Sequence, residues 1–336
     1  MALLEVEDLH VSFSTDDGIV QAVRGVSFQV DRGRTLGIVG ESGSGKSVST
    51  QTVTGLTRGA RVSGSAVFDG VDLLTATEPE LREVRGSRIG MIFQDPLTSL
   101  HPLYRVGWQI TELIRAHQPG TSRRAARARA AELLDLVGIP LAERRIDDYP
   151  YQFSGGMRQR VMIAMAMALH PDLLIADEPT TALDVTVQAQ ILAVMRRVQE
   201  EFGTAIILIT HDLGVVAEMA DEVVVMYAGR LMERGPSRDI FYRHHHPYTE
   251  GLFASLPARS GRGRLTTIPG LPPSLIGPPS GCPFHPRCRH AFDRCSREVP
   301  DLAAVAGHDD HQSACWLPHD QTAATRPSPD PQAVTS

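Results

Sequence analysis

The segment that most constrains this chain is Gly40 to Ser47, GESGSGKS, which follows the apolar run Thr35 to Val39. Its pattern is a glycine, four residues, a second glycine, a lysine and a serine. Glycines let successive backbone N–H groups turn toward one centre, and a helix starting at Lys46 adds the positive end of its dipole. Such a loop cradles a phosphate chain. Lys46 would then reach the β and γ phosphates, and Ser47 would ligate magnesium. The spacing lacks the G-x-G-x-x-G of a dinucleotide-binding turn, so that alternative is set aside.

A phosphate site that does chemistry needs a second piece to hold the metal and activate water. Leu173 to Glu178, LLIADE, has the form of an apolar strand ending in two carboxylates. Asp177 would bind magnesium through water, and Glu178 would orient and deprotonate the attacking water. Around these pieces, short Val/Ile/Leu runs alternate with helical stretches: Thr35 to Val39 then a helix from Lys46, Leu173 to Ala176 then Val185 to Phe202, Ala205 to Thr210 then Leu213 to Ala220. This predicts an α/β domain with a mostly parallel sheet. Residues 98–160 lack comparable strands and read as a helical insertion. Arg123, Arg124, Arg127 and Arg129 alternate there with alanines, the pattern of a solvated helix face and not of a nucleic-acid patch.

Charge sharpens this exclusion. With 33 basic and 39 acidic residues, a formal net of -6, no global field draws the chain to nucleic acid or anionic lipid. The opening MALLEVEDLHVSF carries acids and has no uninterrupted apolar stretch, unlike a signal or transit peptide. The strongest apolar runs, Val161 to Leu169, Ala205 to Ile209 and Val223 to Tyr227, fall short of the roughly 18 residues that cross a bilayer, and read as core.

Phe153 to Gln159 reads FSGGMRQ just before the LLIADE strand, and here the chain resembles the ABC transporter ATP-binding proteins, whose signature usually runs LSGGQ. Phe153 and Met157 depart from that form, while Ser154, Gly155 and Gly156 keep its core. Gln94 in FQDP resembles the family's Q-loop, Ala182 to Asp184 its D-loop, and His211 in THD its switch histidine. The resemblance covers residues 1–240 and implies a P-loop ABC ATPase core with an antiparallel subdomain. It also implies catalytic parts for Glu178, His211, Gln94 and Lys46, and magnesium held by Ser47, Gln94 and Asp177. Nucleotide contacts are implied for Phe13, stacked on adenine, for Gly40, Glu41, Ser42, Gly43, Ser44, Gly45, Lys46, Ser47 and Val48, and for Gln94, Asp177 and Asp184. Ser154, Gly155 and Gly156 would meet the nucleotide of a second subunit, so one chain cannot complete a site.

His246 to Thr249 (HPYT), Ile268 to Cys288 (IPGLPPSLIGPPSGCPFHPRC) and FSGGMRQRVMIAMA resemble the ATP-binding subunits of oligopeptide and dipeptide importers, a group that includes nickel and some glycoside importers. What this implies is a peripheral protein on the cytoplasmic face of the membrane, powering peptide uptake. Its partners would be a second ATPase subunit, identical or paralogous, two membrane permeases and, indirectly, an extracytoplasmic peptide-binding protein. Nickel or another small solute is the alternative cargo. A soluble ABC-fold ATPase acting on nucleic acid or ribosomes is the rival class, but the paired cassettes or long coiled-coil inserts it would carry are not seen.

After Gly235 the texture changes, and residues 241–318 read as a small C-terminal module, with a disordered tail over residues 319–336. All four cysteines, Cys282, Cys288, Cys295 and Cys315, fall in that module, with five, six and nineteen residues between successive members. Structural zinc sites use closer pairs, whereas iron–sulfur clusters accept varied spacing. A 4Fe-4S cluster is therefore favoured over zinc, with His285, His290 and His311 as possible substitute ligands. Free thiols in a structural tail are the plainer alternative, and a redox or metal sensor that regulates the ATPase is compatible with transport. The triplet His244 to His246 reads as surface.

Overall fold

A computed structural model describes residues 2–95, 99–180, 183–255 and 267–318. The strands are β1 (Ala2–Thr15), β2 (Gly18–Asp31), β3 (Thr35–Val39), β4 (Ala60–Phe68), β5 (Val71–Asp72), β6 (Ile89–Ile92), β7 (Leu173–Asp177), β8 (Ala205–Ile209), β9 (Glu222–Tyr227), β10 (Arg230–Pro236), β11 (Ala303–Val305) and β12 (His308–Ser313). The helices are α1 (Lys46–Val53), α2 (Glu78–Val84), α3 (Val106–His117), α4 (Arg123–Leu136), α5 (Ala142–Arg145), α6 (Gly155–Ala166), α7 (Val185–Phe202), α8 (Leu213–Met219), α9 (Ser237–Arg243), α10 (Pro247–Ala254) and α11 (Asp293–Arg297).

The central sheet has the order β11-β12-β10-β9-β3-β8-β7-β6, with β9, β3, β8, β7 and β6 parallel. Every residue of β3, β7 and β8 is buried, as parallel strands covered on both faces must be. Successive side chains alternate between two cores. Leu173, Ile175, Ile207 and Ile209 face the antiparallel sheet β2-β1-β4-β5, while Leu174, Ala176, Ile206 and Leu208 face helices α3, α4, α6 and α7. Each such side chain contributes about 1.5–3 kcal/mol by leaving water. The helices of residues 98–160 form the expected insertion, and their arginines are solvated: Arg127 forks onto Asp147 at 2.9 and 2.7 Å. Among the described residues no helix is long and apolar enough to cross a membrane.

The C-terminal region is stitched into this sheet. β12 pairs antiparallel with β10 through Glu233↔Ser313 and Arg234↔Gln312. Beneath that junction the carboxylate of Glu233 is wholly buried. Burial alone would raise its pKa, but the donors around it outweigh burial and hold it below the ordinary glutamate range. Those donors are His311 Nε2–H at 2.8 Å and the backbone N–H groups of His245 and His246. The histidine triplet therefore departs from the surface placement expected of it. His245 and His246 are buried, His246 Nδ1 caps α10 by accepting from Tyr248 N–H at 3.0 Å, and burial pushes the imidazole pKa down to about 4, so it stays neutral. His311, expected as a possible metal ligand, is committed to Glu233. The proline-rich run lies along β2, where Leu275 O accepts from Gln21 N–H at 2.9 Å. The tail 319–336 lies outside the described residues.

Candidate functional site

The phosphate loop sits where the sequence puts it, between β3 and α1. Gly40, at φ +151°, passes so close to β9 that a Cβ would fall 2.1 Å from Met226 O. At Gly45, φ +100°, a Cβ would stand 2.4 Å from Ala22 O. Only glycine fits either position. At Gly43 nothing lies within 4 Å of where a Cβ would be. Lys46 Nζ donates to Gly40 O at 2.8 Å, Glu41 O at 2.9 Å and Ser44 Oγ at 3.4 Å. Burial lowers its pKa, opposed by the carboxylates of Glu178, Asp177 and Glu41. This ammonium, inside a loop of backbone donors, has the charge and the setting that a phosphate would need.

Strand β7 ends beside it. Ser47 Oγ donates to Asp177 Oδ1 at 2.9 Å, joining two oxygen donors of the kind magnesium takes. Burial raises the Asp177 pKa, against the Ser47 hydrogen bond that lowers it. A cation inserted between the two would relieve that cost, so these residues fit magnesium. Glu178 follows at φ +50°, a left-handed conformation unusual for a side chain of its size and of the kind stored at functional sites. Gln94 Nε2 donates to Glu178 Oε2 at 3.1 Å, and His211 Nδ1 lies 3.4 Å from Glu178 Oε1. Gln94 and His211 thus converge on the Glu178 carboxylate, an arrangement suited to activating water next to the phosphate loop.

Other residues do different work here. Ser154 caps α6, its hydroxyl accepting from Met157 N–H at 3.3 Å. Phe153, where the family has Leu, is buried in the helical core under Arg145, and Met157 packs on the same core, so both departures are packing choices. Asp184 caps α7 through Val187 N–H at 3.0 Å, while Ala182 lies outside the described residues. Phe13 is partly buried on β1 against the core under the antiparallel sheet. The Glu41 side chain turns away from the loop to meet Arg287 at 2.6 Å. A link that the sequence did not signal is Gln159 Nε2 to Pro179 O at 2.9 Å, tying the signature helix to the loop after Glu178. A cavity of about 450 Å³ opens at the other end of β3, where four of its charged lining residues pair with one another, Arg34 with Asp221 and Arg234 with Glu222 at 2.7 Å each.

The four cysteines line one narrow cavity with His246, Phe284 and Trp316. Burial raises the thiol pKa of Cys288, and pushes that of Cys282 to about 11 and that of Cys315 to about 12. The metal-ion expectation finds no support at this level: among the described residues no group of three or more His, Cys, Asp or Glu side chains is placed to hold a metal ion.

Residues 23–181 match the family described as ABC transporter, and residues 232–295 the family described as Oligopeptide/dipeptide transporter, C-terminal region. The oligopeptide transport ATP-binding protein OppD of Bacillus subtilis is 52% identical over 337 residues, covering 99% of this chain and 92% of the relative. The dipeptide transport ATP-binding protein DppD of the same organism is 51% identical, covering 94% of each. Among solved structures, a dimeric post-hydrolysis state of the ATP-binding cassette MJ0796 bound to ADP and Pi is 28% identical, with a TM-score of 0.65 over 70% of this chain and 99% of that one.

Proposed function

Because this chain belongs to the ATP-binding proteins of oligopeptide and dipeptide ABC transporters, we propose that its site is completed by the signature segment of a second cassette, and that closure and release of that pair drive peptide across the membrane. The chain is an ABC ATPase. The observation that carries the proposal is the division of labour within it. Lys46, Ser47, Asp177, Glu178, Gln94 and His211 gather at the phosphate loop, while Ser154 heads another helix and caps it.

In this reading Lys46 and the loop N–H groups hold the phosphates, and Ser47 and Asp177 would hold magnesium, which would supply positive charge beside them. Glu178, positioned by Gln94 and His211, takes the proton of the attacking water. Phe13 stacks on adenine, and Asp184, from the end of the D-loop, meets the second cassette. Coupling to the permeases runs through an exposed aromatic surface after Gln94. There Tyr104 stacks on Trp108 at 4.1 Å, Tyr149 on Tyr151 at 5.5 Å, and Arg105 lies over Tyr149 between the pairs. The chain would sit peripherally on the cytoplasmic face. With its permeases, a second ATPase and a peptide-binding protein in vesicles, short peptides should raise ATP turnover severalfold. Stimulation by nickel and by no peptide would overturn the peptide assignment.

The cysteine cavity extends the proposal. The four cysteines line one cavity, and their uneven spacing along the chain suits a 4Fe-4S cluster better than zinc. When bound, the cluster supplies the charge that lets Cys282, Cys288, Cys295 and Cys315 lose their protons, and it ties the proline-rich run to the region around β12. Protein purified without oxygen should contain iron and sulfide and absorb broadly near roughly 400 nm. Cys288→Ser should lose the metal and keep ATP binding. Stoichiometric zinc would favour the alternative, and neither metal, with all four Cys→Ser changes tolerated, would sink both.

A further inference from the structure

The cysteine-lined module holds the phosphate loop directly. Arg287 ends a single 3-10 turn, His285–Arg287, set between Cys282 and Cys288. Its side chain is 5% exposed and crosses to Glu41 in the phosphate loop. Nη1 and Nη2 donate to the two carboxylate oxygens at 2.6 and 3.0 Å. The remaining donors are also used: Nη1 to Tyr227 Oη at 3.1 Å, Nε to Pro269 O at 2.9 Å and Nη2 to Ile268 O at 3.4 Å. Glu41 N–H donates to Tyr248 Oη at 2.8 Å, so α10 grips the same residue.

A forked, buried pair of this kind is rigid as well as strong. It also resolves a conflict. A carboxylate on a loop that binds a triphosphate repels its own ligand, and Arg287 neutralises Glu41 and holds it in a forked pair. The turn that carries Arg287 is built on the cysteines. Cys282 O accepts from His285 N–H at 3.0 Å and pairs with His285 Nδ1 at 2.8 Å, and Cys288 N–H donates to His285 O at 3.3 Å. Any change in the spacing of Cys282 and Cys288 moves that turn.

We propose that Arg287 is a positioning residue for the phosphate loop, neutralising Glu41 and fixing the loop for ATP, so that ATP affinity depends on the state of the cysteine-lined cavity. The proposal rests on the nucleotide reading of that loop. In the full-length chain, Arg287→Met should weaken MgATP binding about tenfold, the order set by one lost charged pair, and raise KM with kcat within about twofold. Adding Glu41→Gln to Arg287→Met should recover most of that affinity, because the repelling charge goes too. A purely structural Arg287 predicts no recovery. Binding equal to the unaltered chain in Arg287→Met, or a double variant no better than the single, overturns the proposal.

Coupling is reciprocal. A non-hydrolysable MgATP analogue should therefore slow reaction of the chain's cysteines with iodoacetamide, and equal rates with and without it would also overturn the proposal. This measurement uses the unaltered chain and stands even if Arg287→Met fails to fold. A chain that binds no MgATP refutes the nucleotide site itself, a different result from one that binds it equally well with or without Arg287.

Discussion

Glu178→Gln is expected to bind MgATP as the unaltered chain does and to turn it over at least about a hundredfold more slowly, about 2.7 kcal/mol of added barrier. The amide is nearly isosteric and can keep its contacts with Gln94 and His211, which now lie 3.1 and 3.4 Å from the carboxylate oxygens. What it loses is the ability to accept a proton from water. Ser47 and Asp177, 2.9 Å apart, are untouched, so magnesium and nucleotide stay. The paired cassettes should then accumulate closed on ATP. Equilibrium nucleotide binding and single-turnover hydrolysis separate the two effects. Turnover at the unaltered rate would remove Glu178 as the base.

Lys46→Ala should show the opposite split. MgATP affinity should fall by about a hundredfold, since a buried charge aimed at the phosphates is worth roughly 2–3 kcal/mol. Without nucleotide the ammonium satisfies itself on Gly40 O, Glu41 O and Ser44 Oγ. ATP must displace some of those bonds, so the affinity attributable to Lys46 is a difference between two well-bonded states. The vacated carbonyls will bond water in the variant and leave the loop in place, because its backbone is held by Ser44 N–H to Glu41 O at 3.2 Å and by Gly229 N–H to Ser44 O at 3.0 Å. Unchanged affinity with hydrolysis lost would reassign Lys46 to the chemical step alone.

The pieces legible in the sequence are those whose chemistry needs particular residues at fixed local spacing. The phosphate loop, the paired acids of β7 and the Ser154 helix cap each form within a few residues. The parallel strands β3, β7 and β8 were legible too, because burial on both faces writes itself as an uninterrupted apolar run. Arg287 and Glu41 meet across 246 residues, and His311 and Glu233 across 78, and no local pattern announces such pairs. The histidine triplet misled for the same reason. Polar residues read as surface unless a buried partner is known, and Glu233 is that partner. β12, with sequence HDDHQS, carries no apolar alternation, and its place in the sheet comes from backbone pairing with β10.

The pairing of β12 with β10 also sets an order of events when the chain is made. β10 is complete at Pro236, but the strand that covers its edge begins only at His308. At about 5–20 residues per second the ribosome needs several seconds to supply it. During that interval the cassette offers an open row of backbone donors and acceptors, the kind of edge that recruits stray strands. A nascent chain stalled in between would carry the whole phosphate loop, yet would have no seal on its sheet and no His311 to answer the acid beneath it.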